Sequence, residues 1–408
     1  MTADGTISPG DRILSGVPEG LDAIVLAQLA REAAAGTAGC GVVVHVARDD
    51  RRLDALETAL AFFAPKTRII AFPAWDTVPY DRVGPHAEIL AKRITALARL
   101  AVGAKREPTI VLTTVNAILQ RVPPRDFLKR SIRQMAPGQR IDMNRLMQRL
   151  TLAGFVRTGT VMEPGEYAVR GGILDLFPPG RATPVRLDFF GDTLESIKPF
   201  DPQTQRTQRL IQKFYLLPIS EVAFGETAEK QFRSRYVELF GGATGDDPLY
   251  EAVSAGQRYP GMEHWLPLFH DKLEALIDYV PGAPLSFDHN AGEAIKQRFE
   301  QISEHYKARV EAREVATFGA APYKPVPPQM MYLDGPGWAA ALAQHEIRRF
   351  TPFDSDAKGG LDLGIRKGRD FAPERQADAN AFDAAAKHVA ALTKANKRVV
   401  IAAWSDGS

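Results

Sequence analysis

One cysteine, Cys40, stands in 408 residues, so no disulfide can close within the chain. No Cys/His cluster has zinc spacing, and the eight histidines are scattered from His45 to His388. No run of 18 or more apolar residues exists, which excludes a membrane-spanning helix on this reading. The start, MTADGTISPGDRIL, lacks a basic stretch followed by an apolar core and so does not read as a signal peptide. Charge of one sign is also missing: the net charge is only +2, which argues against a surface devoted to nucleic acid and leaves room for local basic patches. The expectation is a cytoplasmic, metal-free, cofactor-free monomer.

What is present is globular: 45% hydrophobic and 25% charged residues, with a length that calls for two to four domains. LDAIVLAQLAREAAA (21–35) reads as a helix stopped by Gly36. VVVHV (42–46), RIIAF (68–72) and TIVLTT (109–114) read as buried strands. Helices over about 51–63 and 86–101 alternate with them. Strand–helix alternation implies α/β architecture with a parallel sheet and right-handed crossovers. After Pro123-Pro124 a basic, helix-rich stretch leads to short strands separated by Gly165, Gly171-Gly172, Pro178-Pro179-Gly180 and Gly191-Asp192, the spacing of an antiparallel meander. An α+β domain therefore interrupts an α/β domain. The division reads as 1–123, first part of the α/β domain; 124–207, insert; 208–330, return to the first domain; 331–377, linker; and 378–408, a truncated start of a further α/β domain.

A nucleotide-binding domain of this class places G-x-x-x-x-G-K-[ST] after its first strand, so that amides, a lysine and a hydroxyl hold phosphate and magnesium. Here the stretch is Gly16-Val17-Pro18-Glu19-Gly20-Leu21-Asp22-Ala23. No Lys-Ser/Thr follows, Pro18 lacks an amide donor, and two carboxylates would repel a triphosphate. The phosphate loop is degenerate, and the chain reads as no catalyst.

Five stretches carry a resemblance: FPAWDTVPYDRVGPH (72–86), TTVNAILQRVPP (113–124), VMEPGEYAVRGGILDLFPPG (161–180), VRLDFFGDTLESIKPFDPQTQRT (185–207) and FYLLPISEV (214–222). Together they resemble the N-terminal, UvrB-like region of the bacterial transcription-repair coupling factors (Mfd). WDTVPYD is the coupling-factor form. The aromatic-rich hairpin and full phosphate loop of UvrB are both missing. The resemblance implies a RecA-like, helicase-like domain whose insert docks onto UvrA. In the full-length family protein it also implies contacts with RNA polymerase and double-stranded DNA, and an ATP-driven motor C-terminal to this segment, where alone ATP would bind.

The resemblance places UvrA-binding residues at Arg170 and Arg157; Arg186, flanked by Val185 and Leu187 on the next strand, is expected to face away from them, and Glu166 and Phe177 join the candidate set. Arginines on one sheet face suit bidentate pairing with carboxylates. A solvated face with local Arg–Glu pairs is the alternative, and Phe177 reads first as a core aromatic closing the strand, with an interface anchor as the alternative. Two rival functions stand beside docking: a weak nucleotide-binding UvrB-like helicase domain, and a non-specific DNA-binding module using Lys129, Arg130, Arg133, Arg140, Arg145 and Arg149. Trp75 and Tyr80 are expected to pack against the insert rather than stack on a base, and His264-Trp265 to be buried.

Overall fold

A computed structural model describes residues 12–36, 41–103, 107–242, 247–314, 323–353, 360–363, 369–376 and 380–401. Cys40 and the last seven residues lie outside that set.

Two of the apolar runs become interior strands of a sheet and the third becomes its edge. The elements in chain order are β1 (Arg12–Ser15), α1 (Asp22–Ala35), β2 (Val42–Ala47), α2 (Asp50–Phe63), β3 (Arg68–Phe72), α3 (Ala87–Ala101) and β4 (Thr109–Thr114). β2 and β4 are buried at every position, as strands covered on both faces must be. Asp49 caps α2, its carboxylate accepting the Arg52 amide at 2.7 Å. Every pairing in this sheet is parallel.

The insert contributes β5 (Arg133–Met135), β6 (Val156–Arg157), β7 (Glu166–Arg170), β8 (Ile173–Leu176), β9 (Val185–Phe190), β10 (Thr193–Pro199) and β11 (Phe214–Leu216). β7 to β10 form the expected antiparallel meander, while β6 runs parallel to β7 and β5 pairs with β11. The helix Met143–Leu152 covers one face of the five-stranded sheet, burying Leu146 and Leu150 against Tyr167, Leu174, Leu187 and Ile197.

Three further strands complete the large sheet: β12 (Leu285–Phe287), β13 (Ile347–Phe350) and β14 (Leu361–Asp362), giving the order β14-β1-β13-β12-β2-β4-β3. This corrects the reading of 331–377 as a linker. Ile347 and Phe350 are buried in β13, and Trp338 of the helix Gly335–Leu342 joins the main core. The first compact unit runs to Leu363. In the second, Asn380 caps the helix Ala381–Lys394. The strand expected to follow does not form over the described residues 397–401.

Trp75 and Tyr80 are buried as expected, but not against the insert. They pack with Phe232, Trp265 and Tyr332 in an aromatic core built by residues 222–332. Trp265 donates to Lys324 O at 2.7 Å, and the Trp75 and His264 rings meet edge to face, 5.5 Å apart.

Candidate docking site

Pleat and register decide what the insert shows to solvent. Directly paired residues of neighbouring strands share a face. Ala168, Asp175, Arg186 and Lys198 therefore form one row on the face away from the helix Met143–Leu152. Arg170, Ile173, Asp188 and Ser196 form the next. Phe190 closes the face at the β9–β10 turn. The two-residue turn between Arg170 and Ile173 needs its glycines. Gly171 has φ +59°, and a Cβ on Gly172 would lie 2.8 Å from Phe189 O.

The predicted residues take different places. Arg170 is exposed and touches only its own domain, donating to Gly159 O (2.7 Å) and Thr160 Oγ1 (3.3 Å). Arg186 is half-buried and bidentate to Asp175, at 2.7 and 2.9 Å, with its guanidinium over the Phe200 ring. The hydrogen bond to Asp175, followed by the nearby carboxylate charges, raises its pKa further above the usual guanidinium value against a desolvation cost. Glu166 accepts the amides of Met162 (2.7 Å) and Glu163 (2.9 Å), tying down the loop before β7. Phe177 is 7% exposed and packs with Val161, Ala168 and Phe200. The structure thus gives its ring a core role: the ladder to Gly165 and Glu166 continues through Phe177, and Val161 and Phe200 pack with it beside Ala168. Arg157 pairs with Tyr167, whose ring is buried on the helix side, so the pleat sends it to the other side of the sheet from Arg170 and Arg186. The three arginines do not share one face.

Sequence reasoning missed the apolar part of this surface. Phe190 is 77% exposed and Ile173 is 37% exposed, flanking Arg170 and Asp188. The Phe189-Phe190 pair was the available signal: alternation sends only one of two consecutive aromatics into the core.

Residues 134–222 match the UvrB interaction domain family. The transcription-repair-coupling factor of Haemophilus influenzae is 35% identical over 75% of this chain and 26% of its own length. That of Escherichia coli K12 is 34% identical over 72% of this chain and 25% of its own, and that of Bacillus subtilis 26% identical over 52% and 19%. The chain is a relative of the transcription-repair coupling factors. It spans about a quarter of the length of the relatives from Haemophilus and Escherichia.

In this coupling-factor relative the stretch after β1 is also informative. The amides at the start of α1, which a phosphate-binding loop offers to its ligand, are used internally. Asp22 Oδ1 accepts the amides of Gly20 (3.2 Å) and Ala23 (2.9 Å). Arg52 from α2 covers the other oxygen and lies 3.6 Å from Asp288. Arg48 joins Glu19 (2.6 Å) to Asp288 (3.1 Å), and the hydrogen bond from Arg48 holds the Glu19 carboxyl below its usual range. Asp22, Arg52 and Asp288 are all buried. Among the described residues no group of three His, Cys, Asp or Glu is placed to hold a metal ion, and no helix is long and apolar enough to cross a membrane.

Proposed function

We propose that this chain is the UvrA-recruiting module of a transcription-coupled repair factor. The UvrB interaction domain at 134–222 carries the reading, and an outward sheet face bearing Arg170, Ile173 and Phe190 supports it. Arg170 is the polar anchor, offering guanidinium donors to a UvrA carboxylate, and Phe190 is the apolar one. Arg186 serves through its pair with Asp175, as a neutralised and rigid part of the face. Binding of the chain to purified UvrA tests this directly. Arg170→Ala is expected to weaken binding at least about tenfold, equivalent to about 1.4 kcal/mol. Unchanged binding by both Arg170→Ala and Phe190→Ala would remove the face from the reading.

In this reading the fragment itself does no catalysis. The Asp22 carboxylate accepts two of the amides that a phosphate would need, and the stretch Gly16–Ala23 carries no lysine. ATP hydrolysis, and contacts with RNA polymerase and duplex DNA, belong on this reading to the remaining length of a coupling factor. We read the domain division as an α/β domain interrupted by the UvrA-binding insert, resumed after about residue 222 because β11 pairs with β5, and extended to Leu363 by β13 and β14.

One observation favours a second reading, non-specific DNA contact. Lys129, Arg130, Arg133, Arg140, Arg145 and Arg149 form no ion pair among the described residues. A DNA shift assay separates the two. Phosphate contact predicts a log–log salt slope of about 0.9 per neutralised phosphate, reduced by Arg130→Ala and Arg133→Ala, whereas docking alone predicts no shift.

A further inference from the structure

The large sheet ends at β3, and no strand among the described residues pairs with that edge. Arg68 donates its amide to Pro108 O at 2.9 Å, which sets the alternation of the parallel ladder. Residues 68, 70 and 72 bond to β4. Ile69 and Ala71 turn their N–H and C=O groups outward, and none of these four groups finds a partner among the described residues. Edge strands are ordinarily blunted by a charge, a proline, a bulge or a covering element. Here Arg68 and Pro73 flank the strand and leave Ile69-Ile70-Ala71 bare.

That edge is the floor of a cleft of about 590 Å³. One wall is the α2 stripe Asp50, Asp54 and Glu57, at the i, i+4, i+7 spacing of a single helix face. The other wall is α3, where Ile89 and Thr95 stand beside the Glu88–Lys92 pair and Arg99, joined by Arg181 of the insert. Asp54 and Glu57 have no side-chain partner among the described residues. Burial, with Asp54 and Asp49 close by, holds the Asp50 carboxyl above its usual range despite a hydrogen bond from the Ala74 amide. Across the cleft the Nε of Arg181 is buried with no acceptor. The cleft thus offers main-chain pairing on its floor, unneutralised carboxylates on one side and an unused guanidinium donor on the other.

We propose that this edge captures an extended segment of a partner protein as an eighth strand. The segment has Lys or Arg at every second position, facing the α2 carboxylates, and small apolar residues between them, facing Ile89 and Thr95. Side chains of a strand alternate in direction, so one such pattern serves both walls at once. The inference is independent of UvrA docking, which uses another surface.

The test is binding of a fluorescent peptide of about ten residues alternating Lys and Val. Three comparisons accompany it: the same peptide with Glu for Lys, the Lys peptide N-methylated on the residues whose amides would face the edge, and the double variant Asp54→Lys/Glu57→Lys. The Lys peptide is expected to bind, with the Glu peptide and the double variant each weaker by about tenfold or more, and the N-methylated peptide not to bind. The two substitutions sit on an exposed helix face, and the N-methylated probe leaves the protein untouched, so misfolding cannot imitate the result. No binding of the Lys peptide, or equal binding of the Glu peptide, overturns the proposed occupant. Equal binding of the N-methylated peptide overturns strand addition. A dimer in sedimentation that Ala71→Pro dissolves would give the edge to a second copy of the chain and also overturn the proposal.

Discussion

One buried ion pair lies at the joint between insert and sheet domain, and its loss should be expensive. Arg93 of α3 and Glu221, just past the insert, are both fully buried. The guanidinium meets the carboxylate through Nε and Nη2, gives Nη1 to Pro73 O at 2.9 Å, and lies 4.2 Å over the Phe72 ring. Among the described residues Glu221 is the only carboxylate paired with this arginine, and Glu221→Gln leaves one neutral acceptor in place of two charge-assisted bonds, each worth about 1.5–3 kcal/mol. Breaking one partner of a buried pair costs about 3–5 kcal/mol, because the remaining charge stays desolvated. With an unfolding entropy of about 2.1 cal/mol/K per residue over a unit of this size, a loss of about 4 kcal/mol lowers the thermal midpoint by about 5 °C. The control is Arg93→Met/Glu221→Leu, which removes both charges and should recover most of the loss. Calorimetry on wild type, Arg93→Met, Glu221→Leu and the double variant forms a complete cycle, with Glu221→Gln measured beside it. A Glu221→Gln midpoint equal to wild type, or a double variant no better than the single, would refute the argument that an uncompensated charge sets the cost.

Acid should destabilise the fold. Burial holds His45, His264 and His270 down to about 4, so each is neutral in the native state and takes up its proton on unfolding. Stability contributed this way is complete above the unfolded value of about 6.5 and is lost as pH falls from there towards 4, at up to about 1.4 kcal/mol per pH unit for each residue. A melting midpoint that does not fall between pH 7 and pH 5 would contradict it. Phe177→Ala should cost about 3–5 kcal/mol of stability. Phe190→Ala should cost less than about 0.5 kcal/mol while weakening UvrA binding; chemical denaturation beside a binding assay separates the two rings. Millimolar Mg-ATP should leave the thermal midpoint unchanged, since a ligand that does not bind the native state adds no stability; an upward shift would reopen the nucleotide reading.

How much of this was legible in the sequence follows from what each feature depends on. β2, β3 and β4 are continuous apolar runs, and their strand character needs no knowledge of the rest of the fold. β12 and β13 are three and four residues long, and they become strands only because slots beside β2 and β1 await them. Ser286 meets the Nδ1 of His45 at 2.9 Å, 241 positions away, and no local pattern announces such a partner. The same holds for Asp22. Its repulsion of phosphate was readable, but its role as acceptor for the helix amides required the neighbouring Arg52 to be in place.

The docking face shows why residue type alone cannot rank candidates. Three arginines were expected on one face. Register turned Arg157 to the other side, and the pairing of Asp175 with Arg186 followed from the length of the 177–184 connection, which sets the β8–β9 register. A guanidinium already held by two carboxylate oxygens has little to gain from a partner's carboxylate. Because it is neutralised in place, however, a partner can cover it without stranding a buried charge. The Lys198 pair with Asp188 at 2.7 Å has the same effect on the neighbouring strand. Those paired charges leave binding energy to the groups that burial would improve. These are the Phe190 ring, the Ile173 side chain, and the Arg170 guanidinium, whose partners are exposed, uncharged oxygens. On the proposed docking reading, the fixed charge pattern supplies specificity and these few side chains supply affinity.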